Sequence, residues 1–208
     1  MDGTILQDRL SRGMGAAARV FGLPYDALRP NGPVDPLRPE GRFLRLPAAF
    51  DGGDPGYRRP MGYERALRGT FDSAYLRVGD LLRGPRGVLF VALLPALHRP
   101  LCVLANATVA VTRPAGPADA GLGEYGGAAP ADPVLLGWPA QVLSGGAGRG
   151  FGLPGDGALA GFHVLLPLGA PAARTGDVLT DDAGHVYTVG AVELSELGWR
   201  LHVRQAGT

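Results

Sequence analysis

The carboxylates best placed for hydrolytic chemistry are Asp177, Asp181 and Glu193, all in the last quarter of the chain. Two of them acting as general acid and base would make a β-fold hydrolase of glycan or peptidoglycan. Such a pair is defined by separation in space, and no local motif marks one. Asp181 and Asp182 could face a hard cation, but such a site takes six or more oxygens and no calcium-loop pattern follows. The two read instead as turn formers ahead of Gly184. His98, His163, His185 and His202 show no HxH, HExxH or HxxxH spacing. Ser195 sits between Glu193 and Glu196 with no assignable base, and there is no GxSxG elbow. Cys102, the single cysteine, lies between Leu101 and Val103, the address of an inert buried thiol. "GFGLPG" at Gly150–Gly155 is formally GxGxxG, but Pro154 and the Gly-Asp-Gly that follows make it a turn rather than a helix start. Trp138 and Trp199 could serve a small-ligand or carbohydrate-binding module, yet Trp199 alternates with Leu201 and Val203, which places it on a core face. The reading is of a non-enzyme with no catalytic residue, metal or cofactor.

What does recur is a corner. "VGDLLRGPRGVLFV" (78–91) and "TGDVLTDDAGHVYTV" (175–189) both run Gly-Asp, two branched apolar residues, a turn, a glycine eight positions after the first, and an aromatic, Phe90 or Tyr187. Gly-Asp occurs at four places, but only these two are followed by such a pair and a return strand. Gly79 and Gly176 let the backbone corner, Asp80 and Asp177 hydrogen-bond local backbone, and Gly87 and Gly184 serve the turns. Each stretch is read as a hairpin corner that starts a β module. Whether the two are copies of one unit stays open.

These corners must be held by surrounding elements. The chain has 208 residues, 46% of them hydrophobic, enough for a core. Gly 34 and Pro 19 make about a quarter of it and favour turns and strands over long helices. Net charge is +1, so no global field recruits nucleic acid or membrane. All 20 basic residues are Arg. The absence of Lys rules out Schiff-base and P-loop lysine chemistry and suits protein interfaces, where the planar, weakly hydrated guanidinium is tolerated. The N-terminal "MDGTILQDRL" lacks a basic stretch ahead of an apolar run, and Pro95, His98, Arg99 and Pro100 interrupt the most apolar segment, so neither a leader nor a membrane span is expected.

Residues 4–21 predict an amphipathic helix, with Leu6, Leu10, Met14, Ala17 and Phe21 on one stripe and Gly22 and Pro24 ending it. Residues 23–62 carry a Pro or Gly every few positions and predict a long extended arm. The expected division is helix and arm over 1–62, a first β module over 63–114, a Gly/Ala/Pro linker over 115–133 and a second β module over 134–208. The near-continuous apolar strands "GVLFVALL" and "PLCVLANATVAVTRP" predict cover on both faces. The last strand alternates, with Trp199, Leu201 and Val203 inward and Arg200, His202 and Arg204 outward. The predicted fold is mainly β: two small barrel- or sandwich-like modules with an N-terminal helix and a Pro/Gly-rich arm.

The stretch "GDVLTDDAGHVYTVGAVELSELGWRLHVRQA", with its Gly-Asp, Asp, Gly, Tyr, Val order and Gly-Trp strand, resembles the β-barrel core of tailed-bacteriophage neck and tail proteins, the head-closure and adaptor-like subunits. "GDLLRGPRGVLFVALLPALHRPLCVLANATVAVTRP", with "ANATVAV" in place of an Asn-Arg-Thr-Val segment, is similar to phage structural proteins as well. The resemblance covers about half the chain. It implies a virion protein made in the host cytoplasm, assembled as a homo-oligomeric ring beside other neck or tail proteins such as portal or tail tube, and it transfers no catalytic residue. Leu6, Leu10, Met14, Phe21, Arg58 and Arg59 are the expected interface residues.

Overall fold

The computed structural model describes residues 3–52, 66–115, 131–144 and 161–206. Helix α1 (Gly3–Phe21) is followed by twelve strands: β1 (Leu23–Leu28), β2 (Arg42–Asp51), β3 (Ala66–Thr70), β4 (Leu81–Gly84), β5 (Gly87–Leu93), β6 (Leu101–Leu104), β7 (Ala107–Arg113), β8 (Asp132–Ser144), β9 (Gly161–Leu166), β10 (Val178–Asp181), β11 (Val186–Ser195) and β12 (Gly198–Gln205). They form two closed six-stranded barrels, β1-β2-β3-β6-β5-β4 and β7-β8-β9-β12-β11-β10, all pairs antiparallel. The mainly β fold with an N-terminal helix is as the sequence predicts.

The division into modules differs from expectation. Residues 23–28 and 42–51, read as an arm, are strands of the first barrel. Prolines are tolerated there: Pro24 and Pro47 face each other across β1 and β2, which removes two donors from one place instead of breaking two ladders. Strand β7, expected in the first module, belongs to the second barrel, because only Ala105 and Asn106 separate it from β6. Asn106 makes that joint. Its side chain donates to Val142 O (2.8 Å) and accepts from Val142 N (2.7 Å), standing in for a strand neighbour.

Strand order is the same in both barrels, and the registers correspond at most positions, β7–β8 carrying an extra shift beyond Val109. Ala27 pairs with Leu82 as Val111 pairs with Leu179. Tyr25 pairs with Leu46 as Val109 pairs with Trp138, and Val91 with Cys102 as Val189 with Val203. The inward positions are apolar in both, giving one core around Tyr25, Phe71, Leu82 and Leu89 and another around Trp138, Leu166, Leu179 and Tyr187. A third cluster joins the barrels. Leu28, Leu81, Phe90, Leu101 and Val103, on the outside of the first barrel, pack with Leu165 and Leu197 of the second. This explains the near-continuous apolar strands: Leu82, Val91 and Cys102 face in, while Leu81, Phe90 and Leu101 face the other barrel. The positions equivalent to Leu28, Phe90 and Val103 in the second barrel are Thr112, Thr188 and Arg204, by register, so Phe90 and Tyr187, matched by offset in the sequence, are not counterparts: Tyr187 stands where Leu89 does.

Residues 29–41, between β1 and β2, cross to the second barrel as a strap. Asp35 N donates to Leu136 O (2.8 Å), and Pro33 O accepts from Leu136 N (3.0 Å) and from Trp138 Nε1 (2.8 Å). Trp138 is fully buried, and a buried indole N–H needs such a partner.

Candidate functional site

The two Gly-Asp corners are the same structure. Gly79 and Gly176 adopt φ of 92° and 90°, a region that favours glycine. Each donates its N–H to the strand that returns, to Val91 O and Val189 O, at 2.8 Å in both. Asp80 O and Asp177 O accept from Val91 N and Val189 N at 2.9 Å. The carboxylates turn back onto the chain. Asp80 Oδ2 accepts from Arg77 N (2.8 Å) and Asp177 Oδ2 from Arg174 N (2.7 Å).

Each carboxylate is then closed by an arginine that sequence reasoning missed. Arg29 donates through Nε and Nη2 to Asp80 at 2.8 and 2.7 Å, and Arg113 does the same to Asp177 at 2.9 and 3.0 Å. The fork geometry matches a carboxylate, so each pair fixes orientation as well as charge. Hydrogen bonding to the aspartate raises the pKa of both guanidinium groups above their ordinary range. Arg113 is the last residue of β7 and Arg29 directly follows the last residue of β1. The signal was present: "RPNGP" at 29–33 and "RPAGP" at 113–117 share four of five residues, and "RVGD" at 77–80 matches "RTGD" at 174–177 in three of four. The corner is a clamp between the first and fourth strands of each barrel, used twice.

The remaining candidates are engaged separately. Asp181 Oδ1 accepts from Ala183 N and His185 N, and Oδ2 lies 3.0 Å from His185 Nδ1 and accepts from Tyr187 OH at 3.1 Å. Burial alone pushes this carboxyl up, but those bonds together outweigh it and hold it below the ordinary value. Burial and the same bond push the Tyr187 hydroxyl up to about 12. Gly184 has a φ of 83° in this turn, as predicted, and Gly87 one of 101°. Asp182 Oδ2 accepts from Thr108 N. Glu193 pairs with Arg200 at 2.8 Å. Asp177, Asp181 and Glu193 thus hold three different partner sets. The rings of His163 and His202 meet edge to face, 4.6 Å apart. Burial, then the neighbouring His202, lowers the His163 pKa. Cys102 is fully buried and burial raises its thiol pKa. Trp138 is core and Trp199 partly buried against that core. Among the described residues no three of His, Cys, Asp and Glu are gathered to hold a metal ion, and no helix is long and apolar enough to cross a membrane. Gly150–Gly155, Arg58 and Arg59 lie outside the described residues.

Among the described residues, one exposed apolar surface lies on α1. The helix docks on β2 and β3 through Ser11, Met14, Gly15 and Ala18. The approach is close: a Cβ on Gly15 would lie 2.9 Å from Asp72 Cβ. The docked stripe is thus rotated from the expected one. Met14 is buried and Leu10 half-buried, while Ile5, Leu6, Val20 and Phe21 stay exposed. The exposed apolar surface continues onto the loop between β5 and β6. There Leu97 is held at a φ of 58°, its N–H donating to Gln7 Oε1 at 2.6 Å. That backbone region is rare for a bulky side chain and costs on the order of 1 kcal/mol. Leu6, Arg9, Leu10 and Leu97 line an open groove of about 400 Å³.

Comparison with protein-family models, with curated proteins and with solved structures finds no match to this chain.

Proposed function

We propose that the chain is a structural subunit of a tailed-phage particle, a connector or tail component of the neck or tail that works by packing into a ring with copies of itself. The observation that carries this reading is the groove of α1 and Leu97, an apolar surface displayed at the expense of backbone strain on a rigid pair of barrels. Closed barrels support it in a second way. Among the described residues every strand has a neighbouring strand on both sides, which favours association through side-chain surfaces over strand addition. The Arg-only basic set and near-zero net charge suit close packing of like subunits. The phage station itself rests on the resemblance of the two Gly-Asp stretches and "ANATVAV". Sedimentation of the purified chain over a range of concentrations tests the assembly: a closed species of fixed stoichiometry above two is expected. A monomer at every concentration up to the solubility limit overturns the reading.

A further inference from the structure

Two exposed apolar features lie on different parts of the chain and differ in charge. The groove of Leu6, Leu10 and Leu97 is bordered by Arg9, with Arg12 exposed one turn further along α1. Among the described residues of the second barrel, Leu194 is the most exposed large apolar side chain, at 59%. It stands near the tip of the β11–β12 hairpin between Glu193 and Glu196, both exposed. Glu193 is occupied by Arg200, but Glu196 and Arg9 have no ion-pair partner among the described residues. Leu197, at the same tip, is buried in the joint between barrels, so the hairpin is already held rigid and presents Leu194 at no further ordering cost.

We propose that the groove receives the β11–β12 hairpin of a second copy of this chain, Leu194 entering between Leu6, Leu10 and Leu97 while Glu196 meets Arg9. Both features are exposed in one and the same chain, so they do not satisfy each other internally. The apolar knob matches an apolar groove, and an acidic rim matches a basic one. Because the two surfaces differ, the contact is heterologous, and repeated with a rotation that closes it generates a ring. The inference rests on the assembly reading above and adds the interface to it.

Cysteine pairing tests it on the intact chain. Leu97→Cys chains are mixed with Leu194→Cys chains under mild oxidation, with Phe43→Cys replacing Leu97→Cys as the control. The native Cys102 is fully buried and silent in this experiment. A mixed disulfide dimer is expected from the 97/194 mixture and not from the control. A second arm reverses charge: Arg9→Glu and Glu196→Arg each weaken association about tenfold, and the two together restore it. A closed species of fixed stoichiometry that shows neither the 97/194 link nor the charge rescue overturns this interface and leaves the ring reading standing. A chain that remains monomeric overturns both.

Discussion

Arg113 and Asp177 are unequal partners: the aspartate side chain is 2% exposed and the guanidinium 33%. Removing the arginine therefore strands a buried carboxylate, while about a third of the arginine side chain is in water already. Arg113→Ala is expected to cost about 2–3 kcal/mol, below the value for a fully buried pair because solvent reaches the cation. Chemical denaturation measures it, and Arg29→Ala should lose a similar amount through Asp80. Arg113→Lys recovers only part, since a single ammonium cannot serve both oxygens in the fork. His163 adds a pH dependence. Burial and the His202 charge depress its folded-state pKa, so the unfolded chain takes up the proton more readily. Its contribution is complete above the ordinary value of about 6.5 and is lost as pH falls below it. The urea midpoint of the parent chain should drop more steeply between about pH 7.5 and 5.5 than that of His163→Gln; parallel profiles would reject the assignment. Asp181, also depressed, acts in a lower window: its stabilisation is present above the ordinary carboxylate value and fades only in stronger acid.

At the scale of elements, turns differ sharply in what they tolerate. Gly198 opens β12 at a φ of 127°, and a Cβ there would sit 2.2 Å from Leu166 O. Gly184 has a φ of 83° but open space around it. Gly198→Ala should cost about 3 kcal/mol or prevent folding, whereas Gly184→Ala should cost about 1 kcal/mol, the conformational penalty alone. Thermal unfolding of the two variants checks the contrast. Of these elements, α1, the alternation of β12, the double cover of β5 and the turn at Gly184 were legible in the sequence, because each has a local period or a turn residue. The strands β1 and β2 were not. Pro24 and Pro47 looked like breakers, and only their placement opposite each other, a property of pairing rather than of either segment, makes them acceptable. The rotated docking face of α1 was hidden for a similar reason: Ser11, Gly15 and Ala18 bury because they are small enough for a close approach, a cue that hydrophobic spacing does not carry. The clamp was half legible. Gly-Asp stood out, whereas its arginine lay 51 or 64 positions away and surfaced only in the repeated Arg-Pro-x-Gly-Pro.

Across the whole molecule, the apolar joint packs the two barrels against each other, and they are expected to unfold as one cooperative body. Phe90 is fully buried in it and belongs to neither barrel's own core. Phe90→Ala is expected to cost about 3 kcal/mol and to split a single calorimetric transition into two, one per barrel; a single transition in the variant would show that the strap and the Asn106 link suffice by themselves. Repetition also limits itself. The face that joins the barrels is apolar once, at Leu28, Phe90 and Val103, and polar where it recurs, at Thr112, Thr188 and Arg204, so stacking by that mode stops at two. The strap has a further use. Trp138 is enclosed and its N–H is held by Pro33 O, a carbonyl delivered from the other end of the chain, while Trp199 is only partly covered. Fluorescence emission from Trp138 therefore reports whether the two halves are together. It should be blue-shifted in the intact chain and move red as soon as the strap lifts, before either barrel melts, which gives the protein an intrinsic optical gauge of its own joint.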